Sequence, residues 1–310
     1  MKIVYFGNNP RGVVCLEALC DAGFTPAAVV IHHQASCSAG TVHGLAVQRE
    51  IPVYDPKRVN APEFINELKT LQPDLLILTG YNQILRHEIL QIPPKGAINL
   101  HGGYLPYYRG GSPINWQILK GERTGGCAII YVDEGIDTGD IIAQELYDIH
   151  PDATAGDVIQ QTLDIFPRLL VDVVRQIEQG TVRAVKQDLT VGAYYCKRYP
   201  QDGQIFWDTM TAAEVHNLIR ALHGPNLPGA FTFLNGKKIV VLTSKLLATE
   251  IKGVPGRIAL KQDGGVVVIA KDRGLLLLDL LVNDQPIAAK KYFKICGMTL
   301  ESHRPSMYPA

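Results

Sequence analysis

An asparagine and a histidine stand two residues apart in Asn99-Leu-His101-Gly-Gly-Tyr-Leu-Pro, and a carboxylate follows in Asp133-Glu-Gly-Ile-Asp137-Thr-Gly. The segment Gly96-Ala-Ile-Asn-Leu100 reads as a strand. Side chains at i and i+2 of a strand share a face, so Asn99 and His101 are expected to point the same way. Asp137 falls on a turn ahead of another apolar run. An amide, an imidazole and a carboxylate suffice for acyl transfer to an amine without a covalent intermediate. The amide stabilises an oxyanion, the imidazole moves protons, and the carboxylate orients or charges the imidazole. An isolated Asn-x-His pair more often just satisfies a strand end, so the surroundings must decide.

Those surroundings alternate strand and helix. Strands are expected at Ile3–Phe6, Ala27–Ile31, Pro52–Tyr54, Leu75–Thr79, Ala97–Leu100, Cys127–Val132 and Ile141–Leu146. Helices are expected at Val13–Ala22, Thr41–Glu50, Ala61–Leu71 and, behind the N-cap chemistry of Asp152-Ala-Thr154, at Ala155–Gln179. The unbroken apolar run Leu75–Thr79 suits a strand buried on both faces. The pattern predicts an α/β fold with a Rossmann-like wound, mostly parallel sheet, whose ligands gather at the strand carboxyl ends. Both chemical strings lie at such ends. After the turn-rich Tyr199-Pro-Gln-Asp-Gly203 the chain becomes β-rich, with runs at Ala230–Phe233, Lys238–Ser244, Gly265–Ala270 and Leu275–Leu281. The expected division is 1–200 for the catalytic domain and 203–310 for a smaller β-rich domain.

Other chemistries are disfavoured. Gly7-Asn-Asn-Pro-Arg-Gly12 lacks Gly-x-Gly-x-x-Gly spacing, and no Lys-Ser/Thr pair follows it, which argues against a nicotinamide enzyme or a P-loop NTPase. The loop can still offer backbone N–H groups to an anion. Ser112 lacks a nucleophile-elbow context, so a serine hydrolase is disfavoured. Asp133, Asp137 and Asp140 could bind a metal with His101, but no metal is expected. Six scattered cysteines without metal-type spacing read as reduced thiols, and the opening Met1-Lys-Ile-Val-Tyr-Phe-Gly as a strand rather than a signal peptide. Leu275–Val282 is too short to span a bilayer. The expectation is a cytoplasmic protein with no membrane partner.

The strings around residues 99–113 and 132–142 resemble the folate-dependent formyltransferases, which include the methionyl-tRNA and nucleotide-linked amino-sugar formyltransferases. The resemblance covers nearly the whole chain and implies an open, oligonucleotide-fold-like (OB-like) barrel for the second domain. It implies 10-formyltetrahydrofolate as co-substrate and Asn99, His101 and Asp137 as catalytic residues. It places Gly80, Tyr81, Asn82, Gln83, Ile84, Leu85 and Asp133 at the folate, largely through backbone. Asn9, Pro10, Arg11 and Gly12 are implied beside the acceptor. Tyr104 and Tyr107 could stack on a nucleotide base, and Arg109 either reaches substrate oxygens or pairs internally with the carboxylates at 133–140. Tyr194-Tyr-Cys-Lys-Arg-Tyr199-Pro-Gln-Asp matches the family's interdomain connection. There Lys197 either contacts a diphosphate or pins the linker.

The acceptor is the finer question. An enzyme acting on tRNA needs basic surface, and by resemblance carries a basic insertion after the second strand. Residues 32–41 hold that place here without a single Lys or Arg. The chain has 30 basic and 30 acidic residues, although residues 203–310 carry 13 against 8. The expected partner is therefore a nucleotide-linked amino sugar, UDP- or dTDP-bound, with no nucleic acid. The apolar second domain leaves a homodimer possible; methionyl-tRNA remains the alternative acceptor, and a non-catalytic sugar-nucleotide binding protein the alternative of another class.

Overall fold

The computed structural model describes residues 1–302. The chain packs as two units. One comprises residues 1–113, 124–147 and 160–195, and the other comprises 114–123, 148–159 and the chain from Cys196 onward. The second unit thus draws two segments from within the first 200 residues, which a linear boundary at 200–203 does not anticipate.

The first unit is built on a seven-stranded sheet. Its strands are β1 (Ile3–Gly7), β2 (Ala28–Val30), β3 (Val53–Tyr54), β4 (Leu75–Thr79), β5 (Ala97–His101), β7 (Thr124–Tyr131) and β8 (Ile141–Asp148), in the order β3-β2-β1-β4-β5-β7-β8. The first five run parallel, and β7 pairs antiparallel with β5. Every residue of β1 and β4 is buried, as expected of apolar strands covered on both faces. Helices α1 (Asn9–Asp21), α2 (Val42–Gln48), α3 (Pro62–Leu71), α4 (His87–Leu90) and most of α6 (Ala155–Gln179) complete the unit. Pro10 stands at the start of α1, where its missing N–H costs nothing. Two short strands, β6 (Tyr108–Gly110) and β9 (Ala193–Tyr195), pair parallel in a ribbon of their own.

The strand order reverses between β1 and β4. At such a switch the connections leave in opposite directions and open a crevice beyond the carboxyl ends. Asn8 with the first turn of α1 and the loop at 80–85 border it, and the end of β5 lies alongside.

The second unit holds α5 (Pro113–Leu119), a 3₁₀ turn at Pro200–Gly203, α7 (Ala212–Ala221) and an antiparallel six-stranded sheet. That sheet runs β10 (Ala230–Leu234), β11 (Lys237–Leu246), β14 (Gly274–Val282), β13 (Gly265–Ile269), β12 (Ile258–Gln262), with β15 (Gln285–Ala288) beside β14, and α8 (Ala289–Tyr292) follows. Trp207 is fully buried there and donates its indole N–H to Thr232 Oγ1 at 2.9 Å.

Candidate active site

The end of β5 presents the amide and the imidazole, and a left-handed turn presents the carboxylate. Asp137 has φ +54°, a conformation that a short polar side chain tolerates better than a branched one. Its loop is tightly made. A Cβ on Gly135 would meet Thr138 Oγ1, and one on Gly139 would meet the Tyr131 carbonyl. Asp133 accepts hydrogen bonds from Thr138 Oγ1 at 2.7 Å and from the Gly135 N–H at 3.1 Å. Gln187 is buried and donates from Nε2 to the carbonyls of Asp137 (2.9 Å) and Gly139 (2.7 Å).

The three side chains converge. Asp137 Oδ1 lies 3.4 Å from Asn99 Nδ2, and its Oδ2 lies 3.3 Å from His101 Nδ1. The Gly110 N–H donates to the same Oδ2 at 2.9 Å. His101 is 5% exposed and the Asp137 carboxylate 14%, so the contact is largely shielded from water. His101 Nε2 sits 2.6 Å from the Tyr108 carbonyl. Both ring nitrogens thus face oxygen atoms, which fixes the plane of the ring. Gly103 makes room for the ring, because a Cβ there would lie 2.7 Å from His101 Nε2 and 2.5 Å from Tyr108 O.

Asn99 and Asp137 also line a cavity of ≈ 180 Å³, together with Tyr81, Asn82, Gln83, Ile84, Leu85 and Asp133. Leu78, Ile130 and Ile136 add apolar wall. Apolar faces, polar edges and a catalytic end suit a flat heterocycle carrying its reactive group toward Asn99, so the residues fit a folate. Gly80 does not line this cavity. It has φ +67° and lies against Asn9, where a Cβ would come within 2.3 Å of Nδ2. Asn9 and Pro10 line a second cavity of ≈ 230 Å³ with Ser36, Thr41 and His43.

Arg11 packs against the first unit's own residues. Its guanidinium lies 4.5 Å over the Phe166 ring, Nη1 reaches the Leu100 carbonyl at 3.4 Å, and Nε is sealed from water without a partner. Burial lowers its pKa. Gly12 is likewise buried, packed against Val42 and the Gly7 backbone. These two serve the packing of α1 because the first helical turn rotates them inward. Tyr104 and Tyr107 stack on one another at 5.3 Å, and Tyr107 is exposed. Among the described residues Arg109 makes no ion pair with the carboxylates at 133, 137 or 140; its neighbour Gly110 meets Asp137 instead. Lys197 belongs to the second unit, its ammonium 6.0 Å from the Tyr199 ring. Sequence reasoning missed Gly103, Tyr108, Gly110 and Gln187, which act through backbone or from distant segments and form no local pattern.

Sequence comparison supplies the class of protein built on this mostly parallel sheet. A formyl transferase model matches residues 13–174 and a formyl transferase C-terminal domain model matches 197–296. The chain belongs to the formyl transferase family, whose members are folate-dependent one-carbon transferases. It is 32% identical to the methionyl-tRNA formyltransferase of Ruminiclostridium cellulolyticum over 90% of this chain and 91% of that one. It is 34% identical to that of Acetivibrio thermocellus over 86% and 88%. Among solved structures, an N-formyltransferase from Helicobacter canadensis in complex with folinic acid and dTDP-3-aminofucose shares the fold. The TM-score is 0.67 at 22% identity, over 89% of this chain and 98% of that one. HypX from Aquifex aeolicus in complex with tetrahydrofolic acid matches at TM-score 0.62 and 17% identity, over 94% of this chain but 46% of HypX. No helix among the described residues is long and apolar enough to cross a membrane.

Proposed function

We propose that the enzyme moves a formyl group from 10-formyltetrahydrofolate to the primary amine of a nucleotide-linked amino sugar. The observation that supports the chemistry is the single carboxylate, Asp137, in contact with both Asn99 and His101 at the mouth of the cavity. The amine nitrogen bonds to the formyl carbon, and the resulting oxyanion accepts the second N–H of Asn99, the first being turned to Asp137. His101, tied to Tyr108 and Asp137, holds the carboxylate beside Asn99 and that oxygen. A water on Asp137 takes the surplus amine proton and returns it to the folate nitrogen as the carbon–nitrogen bond breaks.

The choice of acceptor rests on the absence of Lys and Arg from residues 32–41 and on the balanced overall charge. Methionyl-tRNA is the alternative reading, and the comparisons favour it over the amino sugar: the curated relatives named above, at 32% and 34% identity, are methionyl-tRNA formyltransferases, whereas the sugar enzyme shares the fold at 22%. One experiment separates them. The protein is incubated with 10-formyltetrahydrofolate and either UDP- and dTDP-linked amino sugars or methionyl-tRNA, and products are read by mass spectrometry. A formyl group on one sugar supports the first reading, formylmethionyl-tRNA installs the second, and no formyl product with any amine removes both.

A further inference from the structure

At the carboxyl end of β2, His32 ties together the two loops that border the crevice. Its Nε2 accepts the backbone N–H of Asn82 at 2.9 Å, a donor whose polarity is fixed. A neutral imidazole accepts at one nitrogen and donates at the other, so Nδ1 carries the proton. Nδ1 lies 2.5 Å from Asn8 Nδ2, so the Nδ1–H tautomer requires the Asn8 amide, whose nitrogen and oxygen ends share one shape, to present its oxygen to the ring. The ring also packs against Tyr81, with centroids 4.8 Å apart. The loops interlock directly as well, through the Asn8 N–H to the Thr79 carbonyl at 3.1 Å and through the close approach of Gly80 to Asn9.

We infer that His32 is a positioning residue for the folate: as a neutral ring it holds residues 81–85 in the shape that lines the cavity beside Asn99 and Asp137. A proton on Nε2 would set two N–H groups against each other and release Asn82. The inference rests on assigning that cavity to folate, as proposed above. Burial lowers the His32 pKa below the ordinary 6.5, so the neutral ring prevails at neutral pH. The groups that meet it are the Asn8 amide, the Asn82 backbone and Tyr81, whose hydroxyl burial pushes up to about 12 and keeps uncharged. The ionisable pair beside it in the chain is His33 with Asp55, 3.5 Å apart.

The test is calorimetric titration with folinic acid from pH 8 to pH 5, on wild type, His32→Gln and His32→Ala, with steady-state kinetics alongside. A glutamine oxygen can take the Asn82 N–H at any pH. Wild type should bind at pH 8 and weaken about tenfold on acidification, roughly one hydrogen bond's worth. His32→Ala should be weak throughout, and His32→Gln should bind like wild type at pH 8 with no acid limb. The change should fall on KM for the folate rather than on kcat. Binding by His32→Ala equal to wild type at pH 8, or an acid limb that persists in His32→Gln, overturns the inference alone. Failure of wild type to bind at pH 8 overturns the folate assignment and this inference with it. If His32→Ala does not fold, the pH profile of His32→Gln decides.

Discussion

Asn99 offers two N–H groups, and one of them is turned toward Asp137 at 3.4 Å, which leaves the other for a reacting oxygen. Loss of one oxyanion donor typically costs about 10²–10³ in turnover. Asn99→Ala and His101→Ala should each lower kcat by about that factor while circular dichroism and melting stay near wild type. Wild-type turnover in either variant would dismiss the assignment. Gly103 tests the same site without touching a polar group. Its substitution by alanine drives a methyl toward His101 Nε2 and Tyr108 O. Gly103→Ala should therefore cost kcat as heavily as removal of the imidazole, with folate affinity retained. Full activity would mean that the ring does not need its present seat.

At the scale of elements, α1 shows how a motif residue can be diverted into packing. Arg11 spends its guanidinium on Phe166 of α6 and on the Leu100 carbonyl of β5. A guanidinium whose Nε is sealed from water without a carboxylate partner carries a desolvation cost, which an apolar side chain of similar volume would not. Arg11→Met should thus melt at or above the wild-type temperature with KM for both substrates unchanged. A raised acceptor KM would return Arg11 to the substrate. The sequence made the β5 end and the 81–85 loop legible because each is short and follows a strongly apolar strand. It did not reveal the β6–β9 ribbon, which joins segments more than eighty residues apart with three residues each. Nor could it show that Gln187 holds the Asp137 turn, since a single amide in a polar loop has no periodicity to betray it. The division into units was hidden for the same reason. Residues 114–123 and 148–159 join the second unit through packing that no local signal marks.

Among the described residues two histidines, one in each unit, have their pKa values lowered, which favours the neutral ring. Burial lowers the pKa of His32, and burial followed by the neighbouring Arg220 lowers that of His216, which bonds Ser244 Oγ at 2.9 Å. Their folded values lie below the unfolded value of 6.5. As pH falls past that value the unfolded chain binds protons first, so stability present above it is lost until the folded rings also titrate. The melting temperature should hold above pH 7 and fall steadily on acidification below about 6.5. A flat profile down to pH 5.5 would contradict the neutral assignment. The ribbon of β6 and β9 has a further consequence, in time rather than space. A chain emerging from the ribosome has made all three reactive side chains once Asp137 is synthesised, yet Tyr195 must still arrive before Gly111 can donate its N–H to that carbonyl. Nascent chains halted at Gln179 should accordingly be inert, and competence should switch on late, within the short stretch of translation that delivers Gln187 and the second strand of the ribbon.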